Sequence, residues 1–229
     1  MINVTQRISD LLWGVYGQHA WDSAAGPSTL DLINKLSAHL VQLRKQPDEL
    51  VLDAGCGTGR YAVAFANAGF RVIGIDSAAG MIRSANKKIS VQHTQRLVFQ
   101  QVSLFDTLPY NDGTVDHIVC VSVLQLLRNP LSTLREFTRI LKPQGDLTVV
   151  HFPRRNHSHR CSVSDTVRIA PRRGPIVPIL LRNLKGFLER LGFSRDFSYE
   201  ELRHLVGQVN LKVVIEERNS PIILVAVRQ

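Results

Sequence analysis

The spacing of apolar residues changes along the chain and divides it into regions. Over residues 1–45, apolar side chains recur every three or four positions, which predicts helices with a break at 26–28. From residue 46 to 152, short apolar runs alternate with helical patterns. The runs that predict strands lie at 49–53, 71–76, 97–102, 116–123 and 145–152, and the helical patterns lie at 60–68, 81–88 and 131–141. This alternation predicts βαβ units and a parallel sheet with helices on both faces.

The pattern breaks after the fifth predicted strand. Residues 153–198 begin with a stretch rich in Arg, Ser, Pro and His, and an amphipathic helix is predicted at 176–192. The last residues predict one helix and two strands that return to the sheet edge. We therefore predict a single α/β domain over 1–229, with a Rossmann-like, seven-stranded and mostly parallel sheet. Its parts are a helical cap (1–45), a core (46–152), a lid-like insertion after the fifth strand (153–198), and the final helix with the edge strands (199–229).

Composition fits one globular domain and narrows the cellular setting. With 229 residues, of which 44% are hydrophobic, the chain can bury one sizeable core. It has no run of about eighteen uncharged apolar residues, and its first residues lack the order of a secretion signal. Three scattered cysteines argue against a disulfide framework. These features predict a cytoplasmic protein.

The net charge of +9 is concentrated in one segment. Between 154 and 195, ten arginines and lysines stand against two acids, which gives +8, while the rest of the chain is nearly neutral. Such a surface attracts nucleic acid, anionic lipid or an acidic small molecule, or it serves only as a solvated face. His157, His159 and Cys161 lie in the same segment. They are too close together and lack a second ligand pair, so no metal site is predicted.

A glycine-rich turn carries the strongest chemical signal. The strand run at 49–53 leads into Gly55, Gly57 and Gly59, and a helical pattern follows. At the carboxyl edge of a parallel sheet, such a turn lets the main chain approach a ligand closely. A dinucleotide-binding turn would have its third glycine one position later, so this spacing favours an adenosyl ligand without a pyrophosphate. Asp76 ends the next strand, 21 residues after Gly55, where its carboxylate can accept both ribose hydroxyls.

Four segments resemble, in order, the motifs of class I S-adenosylmethionine-dependent methyltransferases, particularly the type-11 group of mostly small-molecule enzymes. They are residues 51–60, 72–82, 97–127 and 141–150. The resemblance implies S-adenosylmethionine (SAM) as the cofactor. It also implies that Asp53 and the main chain of the glycine turn surround the methionine part, and that Asp76 binds the ribose. Ser77 and Met81 would line the adenine.

The third motif and the cap add further candidates. The acid with which the family contacts the adenine amino group would fall at Ser103 or Leu104, so either Ser103 replaces it or Asp106 takes over. Ser122 follows the fourth strand. Trp21 resembles the aromatic residue with which relatives cover the cofactor, and packing within the cap is the alternative interpretation. The predicted cofactor-binding residues are thus Trp21, Asp53, Gly55, Cys56, Gly57, Gly59, Asp76, Ser77, Met81, Ser103, Leu104 and Ser122.

Methyl transfer from a sulfonium mainly requires alignment of the acceptor, the methyl group and the sulfur. A base is needed only when the acceptor must lose a proton. Gln125, which stands where many relatives carry a histidine, cannot serve as that base. His151, at the end of the fifth strand, is the best placed catalytic candidate, and a structural histidine bonded to the main chain is the alternative. His19, His157 and His159 would depend on where the cap and the insertion lie.

Two missing motifs narrow the acceptor class. Residues 122–125 lack the Asn/Asp-Pro-Pro-aromatic turn expected for methylation of an exocyclic adenine amine, and Cys120 lies inside a predicted strand, which is unsuited to cytosine C5 chemistry. A small-molecule or lipid-like acceptor is therefore favoured. The arginines and the apolar helical face of the insertion suit an amphiphilic acceptor or contact with a membrane surface. Two alternatives stay open, namely an RNA methyltransferase that uses the basic segment and a cofactor-binding module without catalysis.

Overall fold

The computed structural model describes residues 27–93, 95–153, 196–218 and 221–229. In this part of the chain, helices pack on both faces of one seven-stranded sheet. The helices are α1 (Pro27–Leu43), α2 (Arg60–Asn67), α3 (Ala79–Asn86), α4 (Pro130–Ile140) and α5 (Tyr199–Gly207), with 3-10 turns at Val91–His93 and Leu124–Leu126. The strands are β1 (Leu50–Ala54), β2 (Arg71–Asp76), β3 (Leu97–Gln101), β4 (Val115–Val121), β5 (Leu141–His151), β6 (Leu211–Glu217) and β7 (Ile222–Arg228). None of these helices is long and apolar enough to cross a membrane.

Several predictions fall on residues that the structure does not describe. In the cap these are His19 and Trp21. In the insertion they are the basic residues of 154–195, the predicted helix at 176–192, and the group His157, His159 and Cys161. All of them lie outside the described residues and stay predictions.

The strand order is β3-β2-β1-β4-β5-β7-β6. Strands β1 to β5 run parallel, whereas β7 pairs antiparallel with both β5 and β6. The predicted seven-stranded, mostly parallel sheet is confirmed, as are the two strands that return to one edge. The chain crosses from one side of β1 to the other between β3 and β4. The carboxyl ends of β1 and β4 therefore flank the crevice in which sheets of this type bind ligands.

Strand β5 begins earlier than its apolar run indicates. The run predicts a start at Gly145, but β5 begins at Leu141. Pro143 and Gly145 are typical turn residues, and Gln144 does take a left-handed conformation, with φ of 63°. The pairing of β5 with β4 also shifts register in this stretch. The strand thus continues across an irregularity that turn residues accommodate.

Each face of the sheet carries its own apolar core. On one face, α4 and α5 cover strand residues such as Leu52 and Ile118. On the other face, α1 and α2 cover Val51 and Val119. Neighbouring strand residues alternate between the cores because successive side chains of a strand point to opposite faces. The central strands are therefore buried on both sides, as their continuous apolar runs predict.

Two helices begin at side-chain caps. Ser198 starts α5 by accepting the Glu201 N–H at 3.2 Å, and the Glu201 carboxylate accepts the Ser198 N–H at 2.9 Å. Asn129 starts α4 by accepting the Ser132 N–H at 3.2 Å. Each cap satisfies main-chain donors that have no partner within the helix. The caps thereby fix the residues at which the two helices begin.

A buried ionic cluster joins three elements at the amino edge of the sheet. His117 bonds through Nδ1 to Asp146 Oδ2 at 2.6 Å and through Nε2 to Glu49 Oε2 at 2.8 Å. The other oxygen of Glu49 accepts the main-chain N–H groups of Lys45 and Gln46. The cluster thus fastens the connection between α1 and β1 to both β4 and β5.

The cluster favours the charged form of its central histidine. Burial disfavours the charge, but hydrogen bonds and charges from Asp146 and Glu49 outweigh burial and raise the pKa of His117. His39 of α1 faces the same cluster, and burial lowers its pKa. One imidazolium is therefore shared by two carboxylates beneath α1.

Replacing His117 by Asn should destabilise the fold by about 3–5 kcal/mol near pH 6, because two buried carboxylates lose their shared cation. The raised pKa means that this contribution is full below about pH 6.5, the value of an unfolded histidine, and fades as the pH rises through the folded value. Chemical denaturation at about pH 6 and about pH 9 should give a smaller gap between wild type and variant at the higher pH.

The matched control is His204→Asn on α5. His204 is exposed, so its replacement should change the free energy of unfolding by less than about 0.5 kcal/mol. A His117→Asn gap of equal size at both pH values would contradict a charged His117.

Candidate cofactor-binding site

The turn after β1 is fastened to β2 by main-chain hydrogen bonds. The N–H groups of Gly55 and Cys56 both donate to the Ile75 carbonyl, each at 2.8 Å. Gly55, Gly57 and Gly59 take left-handed conformations, with φ of 76°, 54° and 80°, which residues with a side chain rarely adopt. The main chain of the turn therefore lies along the carboxyl edge of β1 and β2.

The residue that caps α2, Gly59, has no side chain because the Phe99 ring occupies the space that a side chain would need. A Cβ atom on Gly59 would lie 2.4 Å from the Phe99 ring, and one on Gly74 would lie 2.5 Å from the same ring. Phe99 of β3 thus reaches across β2 to the turn. Sequence reading missed this residue. The available signal was Gly74, because a glycine inside an apolar strand marks a close approach by another group.

Asp76, at the end of β2, is oriented by the glycine turn. Its Oδ2 accepts the Gly57 N–H at 3.0 Å, and its Oδ1 accepts the Ala78 N–H at 2.9 Å. These donors fix the direction of the half-buried carboxylate, and a carboxylate oxygen can accept more than one hydrogen bond. The structure thus brings together the two features that the sequence singled out, the glycine turn and the acid on the next strand.

Asp53 lies beneath the turn with 1% of its surface exposed. Its Oδ2 accepts the Ala62 N–H at 3.1 Å, which ties the first turn of α2 to β1. Burial raises the pKa of Asp53 to about 7, the Ala62 hydrogen bond opposes the rise, and the charge of Asp76 adds to it. A buried acid that titrates near neutral pH is typical of functional sites.

The residues predicted to line the adenine lie at the start of α3. Met81 is buried, and Ser77 is half-buried. The Ser77 carbonyl accepts the side-chain amide of Gln101 at 3.0 Å, which links the ends of β2 and β3. These residues directly follow Asp76 in the chain and extend the same edge.

The turn after β3 contains the alternatives for the adenine amino group. Ser103 Oγ accepts the Phe105 N–H at 3.2 Å, so this side chain stabilises the turn. Leu104 is buried in the core, whereas Asp106 is exposed. Ser103 therefore has a structural partner in place, and Asp106 is the carboxylate on the surface of the turn.

Cys56 can offer a ligand only its main chain. A Cβ on Gly74 would lie 3.1 Å from the Cys56 sulfur, so this side chain packs against β2. The thiol is buried, and burial raises its pKa well above the ordinary value. A reactive role for this cysteine is therefore not supported by its surroundings.

The residues after β4 close the other side of the turn. Ser122 donates its N–H to the Val150 carbonyl at 2.8 Å and takes a left-handed conformation, with φ of 56°. Such a conformation is uncommon for a residue with a side chain and tends to occur at functional sites. Val123 packs on Gly55, where a Cβ would lie 2.3 Å from a valine methyl group. The end of β4 and the glycine turn therefore share one edge.

His151 lies at the end of β5 and is 3% exposed. Its Nε2 lies 2.9 Å from Asp196 Oδ1, and its Nδ1 lies 3.4 Å from Gln125 Oε1. The structure thus brings the candidate base into contact with two polar side chains from different parts of the chain.

Lys88 reaches the turn from just beyond the end of α3. Its Nζ donates to the Thr58 carbonyl at 2.7 Å. Sequence reading missed this contact because nothing in the local pattern connects residues thirty positions apart.

Comparison with known proteins agrees with this geometry. Residues 52–149 match the family model described as a methyltransferase domain. The chain is 30% identical over 142 residues to the ubiquinone biosynthesis O-methyltransferase of Albidiferax ferrireducens, a match that covers 61% of this chain and 54% of that protein. The protein of the same name from Xanthomonas campestris is 29% identical over 128 residues, with 56% and 53% covered. The chain spans about half the length of the curated relatives it matches.

Solved structures share the fold. A SAM-dependent methyltransferase from Aquifex aeolicus gives a TM-score of 0.62 at 19% identity, with 89% of this chain and 94% of that chain covered. Magnesium protoporphyrin IX methyltransferase from Synechocystis PCC 6803, crystallised with bound SAM, gives 0.59 at 19%, with 87% and 79% covered. The [4+2]-cyclase SpnF gives 0.59 at 21%, with 80% and 59% covered.

The chain is thus similar to methyltransferases in sequence over residues 52–149 and in overall fold. The matched segment runs from β1 into β5, so it contains the glycine turn, Asp76 and Ser122.

Gly59→Ala should lower the free energy of unfolding by about 1–3 kcal/mol, because alanine disfavours the left-handed conformation and its Cβ would meet Phe99. Chemical denaturation measures the change. Gly207→Ala in α5 is the matched control, since a Cβ there meets nothing within 4 Å; it should be neutral or stabilise by up to about 1 kcal/mol. Equal stability of Gly59→Ala and the wild type would contradict the close packing.

Proposed function

We propose that this domain binds SAM at the carboxyl edge of β1 and β2 and transfers its methyl group to a small-molecule or lipid-like acceptor. The observation that carries the proposal is the contact between the glycine turn and Asp76, whose carboxylate accepts the Gly57 N–H at 3.0 Å. This contact supports a site in which main chain and an oriented acid face one ligand.

The residues at this edge fit the chemistry of the cofactor. A ribose offers two hydroxyl donors, and Asp76 offers a carboxylate whose direction is fixed. The methionine part carries an ammonium and a sulfonium charge, and Asp53 supplies an acid beneath the turn. An adenine ring is flat and largely apolar, and Met81 at the start of α3 supplies an apolar side chain beside Asp76.

When bound, SAM supplies a methyl group on a positively charged sulfur, which an acceptor lone pair can displace while the carbon–sulfur electron pair stays on sulfur. The protein then has to hold the acceptor in line and exclude competing water. The glycine turn and the end of β4 lie side by side, because Val123 packs directly on Gly55. They can therefore hold cofactor and acceptor next to each other. His151 is the candidate for accepting a proton where the acceptor must lose one.

Two observations support the acceptor class. The relatives are named as ubiquinone biosynthesis O-methyltransferases, that is, for transfer to oxygen. After β4 the chain has Ser122 and the 3-10 turn Leu124–Leu126, where methylation of an exocyclic adenine amine would call for an Asn/Asp-Pro-Pro-aromatic turn. A small or lipid-like acceptor that presents an oxygen agrees with both.

Incubation with SAM labelled in its methyl group and a fractionated cell extract tests the proposal. Label should appear in the small-molecule or lipid fraction and be absent with Asp76→Ala protein. Label in RNA would favour the alternative based on the basic segment. SAM binding without label in any fraction would favour a module without catalysis.

Asp76→Ala should weaken SAM binding by about 1.5–3 kcal/mol for each charge-assisted hydrogen bond lost. Titration calorimetry measures the affinity, and circular dichroism checks that the turn still folds without its two main-chain contacts. Asp112→Ala is the matched control, because Asp112 is an exposed acid paired with Arg139; its affinity should equal that of the wild type. Unchanged affinity in Asp76→Ala would remove Asp76 from the site.

Asp53 should make SAM affinity depend on pH. Its pKa is raised to about 7 in the unliganded domain, and a cationic ligand binds best to the ionised carboxylate. Affinity should therefore approach its full value at about pH 8, be about half of it near pH 7, and fall by roughly fivefold to tenfold between about pH 7.5 and about pH 6. Calorimetry at both values should show the dependence in the wild type and lose it in Asp53→Asn. The same pH dependence of SAM affinity in both proteins would show that ionisation of Asp53 does not affect binding.

A further inference from the structure

Three side chains from separate segments meet at the carboxyl ends of β4 and β5. His151 ends β5, Gln125 lies in the 3-10 turn after β4, and Asp196 precedes α5. Asp196 Oδ1 lies 2.9 Å from His151 Nε2, and Gln125 Oε1 lies 3.4 Å from His151 Nδ1. One nitrogen of the imidazole therefore has a close carboxylate partner, and the other has a distant amide partner.

The carboxylate decides which nitrogen carries the proton. A carboxylate only accepts hydrogen bonds, so the 2.9 Å contact with Asp196 favours a proton on Nε2 over the longer 3.3 Å contact in which the Phe197 N–H points at the same nitrogen. In the neutral imidazole this leaves a lone pair on Nδ1. The Gln125 amide can turn its N–H to that lone pair, but 3.4 Å is longer than an ordinary hydrogen bond. An acceptor hydroxyl that comes closer would replace a weak contact.

Phe197 contacts both Asp196 and His151. Its main-chain N–H donates to Asp196 Oδ1 at 3.1 Å and also points at His151 Nε2 at 3.3 Å, where it competes with a proton on that nitrogen. The Phe197 ring packs edge-on against the imidazole, with ring centres 5.9 Å apart and planes at 75°. The Phe197 N–H can thus bond the carboxylate while Asp196 is present, and without that carboxylate it can donate to Nε2 alone.

The group lies at the same sheet edge as the glycine turn. Strand β5 is the second neighbour of β1, which at strand spacing corresponds to about 10 Å. The segment after β4 connects the two places, because Val123 packs on Gly55 and Gln125 contacts His151. This distance suits an acceptor placed between the cofactor's methyl group and the imidazole.

We propose that Asp196 is a positioning residue that keeps the proton of His151 on Nε2, so that Nδ1 receives the proton of a hydroxyl acceptor. The inference rests on the proposed methyl transfer and narrows its acceptor to neutral protic nucleophiles. The hydroxyl oxygen forms the bond to the methyl carbon, and the carbon–sulfur pair stays on sulfur. The hydroxyl proton moves to Nδ1, gives an imidazolium that still bonds to Asp196, and passes to water after product release.

The tautomer of His151 tests the proposal without any acceptor. Nitrogen-15 NMR of the imidazole, assigned with His151→Gln, should show the Nε2-protonated form in the wild type. In Asp196→Ala, the Phe197 N–H becomes the donor to Nε2, so the proton should move to Nδ1. Asp196→Asn provides a second variant of nearly the same shape should the alanine protein fold poorly. A proton on Nδ1 in the wild type, or on Nε2 in both wild type and Asp196→Ala, would overturn the positioning role.

Matched controls separate this proposal from the proposed function. Asp112→Ala removes an exposed acid that pairs with Arg139, and it should leave the His151 tautomer unchanged. SAM affinity should be the same in Asp196→Ala and the wild type, because the group lies apart from the glycine turn.

With an acceptor found in the extract experiment, Asp196→Ala should lower kcat by about 10–100-fold with little change in KM for SAM. Failure of the wild type to bind SAM would refute the proposed function while the tautomer still reports on Asp196.

Discussion

The two hydrogen bonds from Gly55 and Cys56 to the Ile75 carbonyl set the position of everything at the carboxyl edge. They continue the register in which Ala54 lies beside Ile75. Because that register is fixed, Asp76 meets the main chain of the turn. A slip of one residue between β1 and β2 would move the carboxylate by about 3.3 Å and turn its side chain to the other face. The candidate site is therefore a consequence of strand pairing rather than of loop conformation.

Buried charges are paired at one edge of the sheet and carry the same sign at the other. At the amino edge, His117 is shared by Asp146 and Glu49, so the charges compensate each other within the protein. At the carboxyl edge, burial raises the pKa of Asp53 to about 7, and the like charge of Asp76 adds to this rise. The first arrangement stabilises the fold. The second leaves negative charge that a cationic ligand can compensate, which is a physical reason for binding at that edge.

The fold was predictable because the central strands are buried on both sides and stand out as continuous apolar runs. The glycine turn and Asp76 were also predictable, since both stand at strand ends that a parallel sheet brings together. The contacts of Phe99, Lys88 and His117 were not, because they depend on register and on which side of a strand a residue takes. The start of β5 was placed too late for a related reason: local turn residues marked an irregularity within the strand.

The shared fold with a [4+2]-cyclase means that the sheet alone does not decide the chemistry. Strands β1 to β3 present the groups to which the proposed function assigns the nucleoside, and these lie within the segment that matches the family model. The ends of β4 and β5 present Gln125 and His151, and Asp196 joins them from beyond the matched segment. In the proposed function, the groups assigned to the cofactor can therefore stay the same while residues at β4 and β5 change the reaction. For the proposed methyl transfer, the features that select the acceptor are to be sought at the ends of β4 and β5, where the imidazole and its carboxylate lie.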